Sequence, residues 1–151
     1  MTQTECIKET VKHIKRVGKL ILQVTSILLE KAFNHDASKL EEPELSSFTK
    51  LTPKLKNTVY NSKKYFKYLN KMNPAIKHHY SINSHHPDYW EHGITQMSII
   101  ELLEMLADWK AASERMKNGN LERSIMQNQE RFGYSNELRT LLLNTAKYLK
   151  W

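Results

Sequence analysis

The amino-acid sequence predicts an all-α protein, a single-domain bundle of about six or seven helices over residues 1–151. Three observations carry this. Apolar residues recur at spacings of three and four along most of the chain. No alternating run of β-branched residues competes with that period. With 4 Gly and 4 Pro, breaks between segments are few and easily placed.

The first predicted helix covers residues 4–32. Ile7, Val11, Ile14, Ile21 and Leu28 form one row, with Val17, Leu20, Val24 and Ile27 beside it. A polar patch over residues 34–39 interrupts the pattern. A second helix is expected over 41–48, with Pro43 tolerable in its first turn and Pro53 as punctuation after it. Val59, Phe66 and Leu69 support a third over 55–72, and Asn73 and Pro74 predict its end and the start of another short helix. His85, His86 and Pro87 read as loop. Thr95 is the expected N-cap of the strongest segment, 97–117, which Asn118, Gly119 and Asn120 should close. Helices over 121–131 and 135–149 complete the chain.

A chain of 151 residues suits one compact domain, and 40% hydrophobic with 26% charged residues excludes a disordered or low-complexity protein. The lone Cys6 excludes an internal disulfide and a thiolate zinc site. Charged residues break up the first segment, and no stretch approaches the roughly 18–20 apolar residues of a membrane span. The expectation is a cytoplasmic protein with no membrane partner.

The net charge of +7 is unevenly spread. Between Leu45 and Pro87 there is no acidic residue, whereas Lys50, Lys54, Lys56, Lys63, Lys64, Lys67, Lys71 and Lys77 all fall there. Such a field attracts phosphate-bearing ligands, and it equally describes a solvated lysine-rich surface.

The histidines are grouped rather than scattered. His13 shares the apolar spacing of Val17, Leu20, Val24 and Ile27 and is expected to look inward, as a core residue or a ligand. His35 and Asp36 are adjacent, so imidazole and carboxylate can turn toward one ion, although Asn34 or Asp36 could instead cap a helix. Lys39 follows three positions on. Met97, Glu101, Glu104 and Asp108 form one row of the strongest helix, where three acids repel unless something positive faces them. Glu101 reads as surface, balanced by Lys110 or Arg115. Asp108, among Ala107, Trp109, Ala111 and Ala112, reads as buried. Residues 78–87 hold four imidazoles, His78, His79, His85 and His86, either a convergent set or a solvated, pH-sensitive patch.

A first-helix histidine, then His35-Asp36 with Lys39, then a His-His pair, then a distant Asp108, resembles the HD superfamily of metal-dependent phosphohydrolases over about residues 13 to 112. The pattern is also similar to a group of small proteins from phages and bacteria. The resemblance implies an HD-type helical bundle in which His13, His35, Asp36 and Asp108 hold a first ion. In the binuclear branch Asp36 bridges to a second ion, held by His79, His85 and His86, with His78 able to replace His79. Lys39 matches the lysine that faces phosphate. Only five residues separate His79 from His85, a shorter gap than that branch shows, and Ser38 stands where the family commonly has glycine.

Nitrogen and carboxylate ligands without thiolate suit one or two ions of Mn, Fe, Co, Ni or Zn and argue against calcium. The expected reaction is hydrolysis of a phosphoester, a nucleotide foremost and nucleic acid next, by a metal-activated water. Lys39 binds phosphate, His78 donates a proton to the leaving oxygen, and Tyr89 and Trp90 stack on a base or pack in the core. The rival is a non-enzymatic basic helical protein that binds nucleic acid or a protein partner.

Overall fold

The computed structural model describes residues 1–58, 62–115 and 118–151, with Lys56 described by its helix position only. Among them the protein is all-α, with six α-helices, and no strand occurs. The chain resolves into two units, Met1–His35 and Asp36–Trp151.

The first unit is one helix, α1 (Gln3–Asn34). Thr2 caps it through a reciprocal box, its hydroxyl accepting from the Glu5 amide at 3.2 Å while its own amide donates to the Glu5 carboxylate at 2.7 Å. No residue of α1 is buried, His13 included, so the inward position expected for that histidine is not found. Periodicity located the helix but says nothing of what covers its apolar row.

In the second unit, α2 (Glu44–Lys56) and α3 (Lys63–Ile82) pack against each other and against a 3-10 turn at Ala37–Leu40. Both helices correct the sequence reading, because each runs through a proline taken as a stop, Pro53 in α2 and Pro74 in α3. A proline removes one backbone hydrogen bond. Burial of Met72, Ala75 and His79 along α3 offsets that loss and carries the helix on to Ile82. Ser62 caps α3 by accepting from the Tyr65 amide at 3.1 Å. The expected helix over 55–72 therefore starts later, and Val59 lies outside the described residues.

A loop with 3-10 turns at Pro87–Tyr89 and Gly93–Gln96 leads to α4 (Ile99–Glu114). Its cap is Ser98, not Thr95. Ser98 accepts from the Ile100 and Glu101 amides and Glu101 returns the bond to the Ser98 amide, whereas the Thr95 hydroxyl donates to the His92 carbonyl. Ser98 wins because it has a glutamate three residues on. Of the helix expected over 97–117, Met116 and Lys117 lie outside the described residues. Gly119 is needed for close approach, since a Cβ there would sit 1.7 Å from the Ser113 carbonyl oxygen. Asn120 begins a helix, accepting from the Arg123 amide at 2.8 Å as cap of α5 (Leu121–Phe132). Gly133, at φ 66°, ends it, and Ser135 caps α6 (Asn136–Tyr148).

The apolar core lies among α4, α5, α6 and the loop before them: Ile94, Met97, Met105, Leu106, Leu121, Ile125, Tyr134, Leu142 and Ala146. Trp109 and Phe132 stack with ring planes 2° apart, and the Tyr134 hydroxyl donates to the Ile125 carbonyl. No helix among the described residues is long and apolar enough to cross a membrane.

Candidate metal centre

A second, polar interior gathers side chains from four stretches of the second unit. Asp36 precedes the turn at Ala37–Leu40. His79 is on the last turn of α3, His85 and His86 follow it, and Glu104 and Asp108 come from α4. One ligand atom each of Asp36, His79, His85 and His86 lie within 4.8 Å of one another. A carboxylate oxygen of Asp108 is equally near one of Asp36.

Asp36 reaches this place through a left-handed backbone, φ 55° and ψ 17°, which a short polar side chain tolerates better than most. The turn that follows returns Lys39 to it, with Nζ 2.5 Å from Asp36 Oδ2, and the lysine side chain remains 41% exposed. The three-residue spacing seen in the sequence thus makes an ion pair at the rim of the cluster.

His79 settles which histidine of the first pair faces inward. Its Nδ1 is 2.9 Å from Glu44 Oε2, and its Nε2 is 3.2 Å from Asp36 Oδ1 and 2.9 Å from His86 Nε2. An ionised carboxylate only accepts, so Nδ1 is the donor toward Glu44, and Nε2 faces Asp36 and His86. His78, one residue and about 100° away on the helix, directs its Nδ1 at the other oxygen of Glu44, also at 2.9 Å. The Glu44 carboxylate therefore stands between the two rings.

Glu44 is fully buried at the first turn of α2 and also accepts from the Ser38 hydroxyl at 3.2 Å. Buried charge persists when it is paired and hydrogen-bonded, and the start of a helix favours an anion. Ser38 additionally accepts from the Asn83 amide at 3.0 Å, which ties the turn to the end of α3.

His85 repeats the arrangement of His79. Its Nδ1 lies 3.2 Å from Glu104 Oε1 and its Nε2 3.5 Å from Asp36 Oδ1. Burial, then the neighbouring His85 and His79, push His86 down to about 3, while Asp108 and Asp36 pull the other way. His86 is therefore neutral at pH 7 and offers a lone pair.

The acidic row read along the strongest helix divides into three tasks. Met97 is in the core, Glu101 completes the cap of α4, and Glu104 and Asp108 face the histidines. Trp90 packs against the core and donates its indole N–H to the Ser84 carbonyl at 2.9 Å, which assigns it to the fold, while the adjacent Tyr89 is exposed. His13 lies on α1 and His35 caps its end, so both belong to the first unit, with Asp36 opening the second. Glu44 went unrecognised in the sequence because an acid in a first turn is commonplace; Glu104 was visible only as part of its row.

The donor set fits a divalent transition ion. It offers imidazole nitrogen and carboxylate oxygen, and two of its histidines have the opposite ring nitrogen held by a carboxylate, the support that metal-bound histidines generally have. No curated protein and no solved structure matches the chain. One family model matches residues 2–149, and the chain belongs to that family, the family of unknown function DUF5662.

Proposed function

We propose that the protein is a metal-dependent phosphohydrolase of the HD type, acting on a nucleotide or nucleic-acid phosphoester. One observation carries this reading above the others. His79 Nε2 and His86 Nε2 lie 2.9 Å apart, and Asp36 Oδ1 is 3.2 Å from the first, while the far side of the His79 ring is committed to a buried glutamate. With the His79 Nδ1 proton directed at Glu44, its Nε2 and Asp36 Oδ1 both present lone pairs here, and a cation, whether a shared proton or a metal ion, reconciles them whichever nitrogen of His86 carries its proton.

Asp36, His79, His85, His86 and Asp108 are the ligands in this reading, for one or two ions of Mn, Fe, Co, Ni or Zn. A bound divalent ion supplies an acidified water and offsets the charge that builds on phosphoryl oxygens. Glu44 and Glu104 fix the rings of His79 and His85 so that their Nε2 atoms face Asp36. Lys39, held by Asp36 and partly exposed, presents its ammonium to a phosphate oxygen. His78 acts through Glu44 and is a positioning residue here, not the proton donor expected from the sequence. Tyr89 is the aromatic face left for a base.

Metal analysis of the purified protein after incubation with Mn tests the reading. Wild type should retain the ion and hydrolyse at least one member of a panel of mononucleotides, cyclic nucleotides and short oligonucleotides. Asp36→Asn and His79→Ala should lose the ion while circular dichroism shows the same helix content. A wild type that stays metal-free and leaves the panel intact overturns the proposal in favour of a non-enzymatic basic helical protein, its His79–His86 contact being a shared proton.

A further inference from the structure

A lysine-lined surface of the second unit lies on α3. Lys63, Lys64, Lys67 and Lys71, with Lys54 of α2 and Tyr68, line one cleft, and the Lys54 ammonium stands over the Tyr68 ring, 6.0 Å from its centroid. The five lysines are exposed. Lysines three and four apart repel one another on a bare helix, and a polyanion laid along them turns that repulsion into attraction.

The row has a direction. At 3.6 residues per turn, Lys64, Lys67, Lys71 and His78 fall within about 60° of one another around α3, and at 1.5 Å per residue the row runs about 21 Å. It ends on His78, whose ring is bonded to Glu44, which in turn holds His79 in the candidate metal centre. Each strand of a stacked duplex rises about 3.4 Å per nucleotide, so that length matches at most about six phosphates, and fewer of a more extended single strand.

We propose that the lysine row of α3 binds the phosphodiester backbone of single-stranded nucleic acid and leads it toward the Asp36, His79, His85 and His86 cluster. The second half of this statement rests on the hydrolase reading above and makes the substrate a polynucleotide; the binding itself does not depend on it. A single strand fits better than an anionic membrane surface for two reasons. The lysines line a cleft around Tyr68, where a base can stack. Within the lysine stretch of α3 the exposed Phe66 lies about 100–160° round the helix from Lys64, Lys67 and Lys71, on another face, and the exposed Ile82 lies about 16 Å further along than Lys71.

The test is fluorescence anisotropy of a labelled 12-nucleotide single strand with the full chain in EDTA, across a salt series. The variant Lys64→Gln/Lys67→Gln/Lys71→Gln is compared with a control of equal charge, Lys8→Gln/Lys15→Gln/Lys19→Gln on α1, both checked for helix content. Each phosphate contact contributes about 0.7 to the slope of log affinity against log salt for single strands, so the α3 variant should lose about 2 from that slope and at least about tenfold in affinity at low salt. The α1 control should keep the wild-type slope to within about 1. Equal behaviour of the two variants overturns the proposal, as does a wild type that binds phosphatidylserine vesicles and not the oligonucleotide. In Mn, an oligonucleotide that binds but stays uncut overturns the polynucleotide as substrate and leaves the binding site standing. A mononucleotide that is cut while the oligonucleotide is ignored overturns the binding site and leaves the hydrolase standing.

Discussion

The second unit has two interiors built on opposite principles, and α4 borders both. Met105 and Leu106 face the apolar interior and are 1% and 0% exposed, while their neighbours Glu104 and Asp108 turn to the histidines. Successive residues on a helix point about 100° apart, so a single turn of α4 serves both. The apolar interior is held by burial, which depends on shape and volume. The polar interior is held by specific pairings such as Glu44 with His79 and Glu104 with His85, where each group depends on its partner. The difference teaches where each kind of substitution should be felt.

The largest effect should follow Leu106→Ala. Removing a fully buried leucine side chain typically costs about 2–5 kcal/mol, which thermal unfolding will show as a drop of many degrees in Tm. Ion affinity measured on the fraction still folded should be unchanged. A Leu106→Ala protein that keeps its Tm but loses its ion would break the separation between the two interiors.

Next in size is Glu44→Gln, which preserves the shape of the side chain and its bond from the His79 ring but removes the charge. Loss of such a supporting group typically lowers metal affinity about 10–100-fold, or about 1.4–2.8 kcal/mol. Titration of the purified protein with Mn or Zn measures it, with Asp36→Asn as the reference for total loss. An affinity equal to wild type would mean that Glu44 serves packing alone and that the His79 ring is oriented by something else.

These two substitutions also mark what was legible beforehand. Leu106 and its neighbours follow from helical periodicity, which placed α4, α5 and α6 to within three residues at every described end, because burial repeats with the helix period. The proline signals misled at Pro53 and Pro74, where packing between α2 and α3 offsets a missing backbone bond. In the polar interior, residue type and order marked Asp36, the histidine pairs and Asp108, but not which of His78 and His79 turns inward, since that depends on helix phase. Glu44 had no signal at all. Its burial is a consequence of two histidines 34 and 35 residues further on, a fact of tertiary structure.

The smallest expected effect belongs to the boundary between the two interiors, at Trp90. Its ring packs against the apolar core and its indole N–H is bound to the Ser84 carbonyl, in the residue just before His85. Trp90→Phe retains most of the packing and removes one hydrogen bond, so stability should fall by about 0.5–1.5 kcal/mol, read from denaturant midpoints. Oligonucleotide affinity should not change, because the ring packs against the core, whereas Tyr89→Ala, at an exposed residue, should weaken binding with little loss of stability. If instead Trp90→Phe weakens nucleic-acid binding and leaves the midpoint alone, the loop from His85 to Trp90 belongs to the ligand surface and the assignment of that ring to the core is wrong.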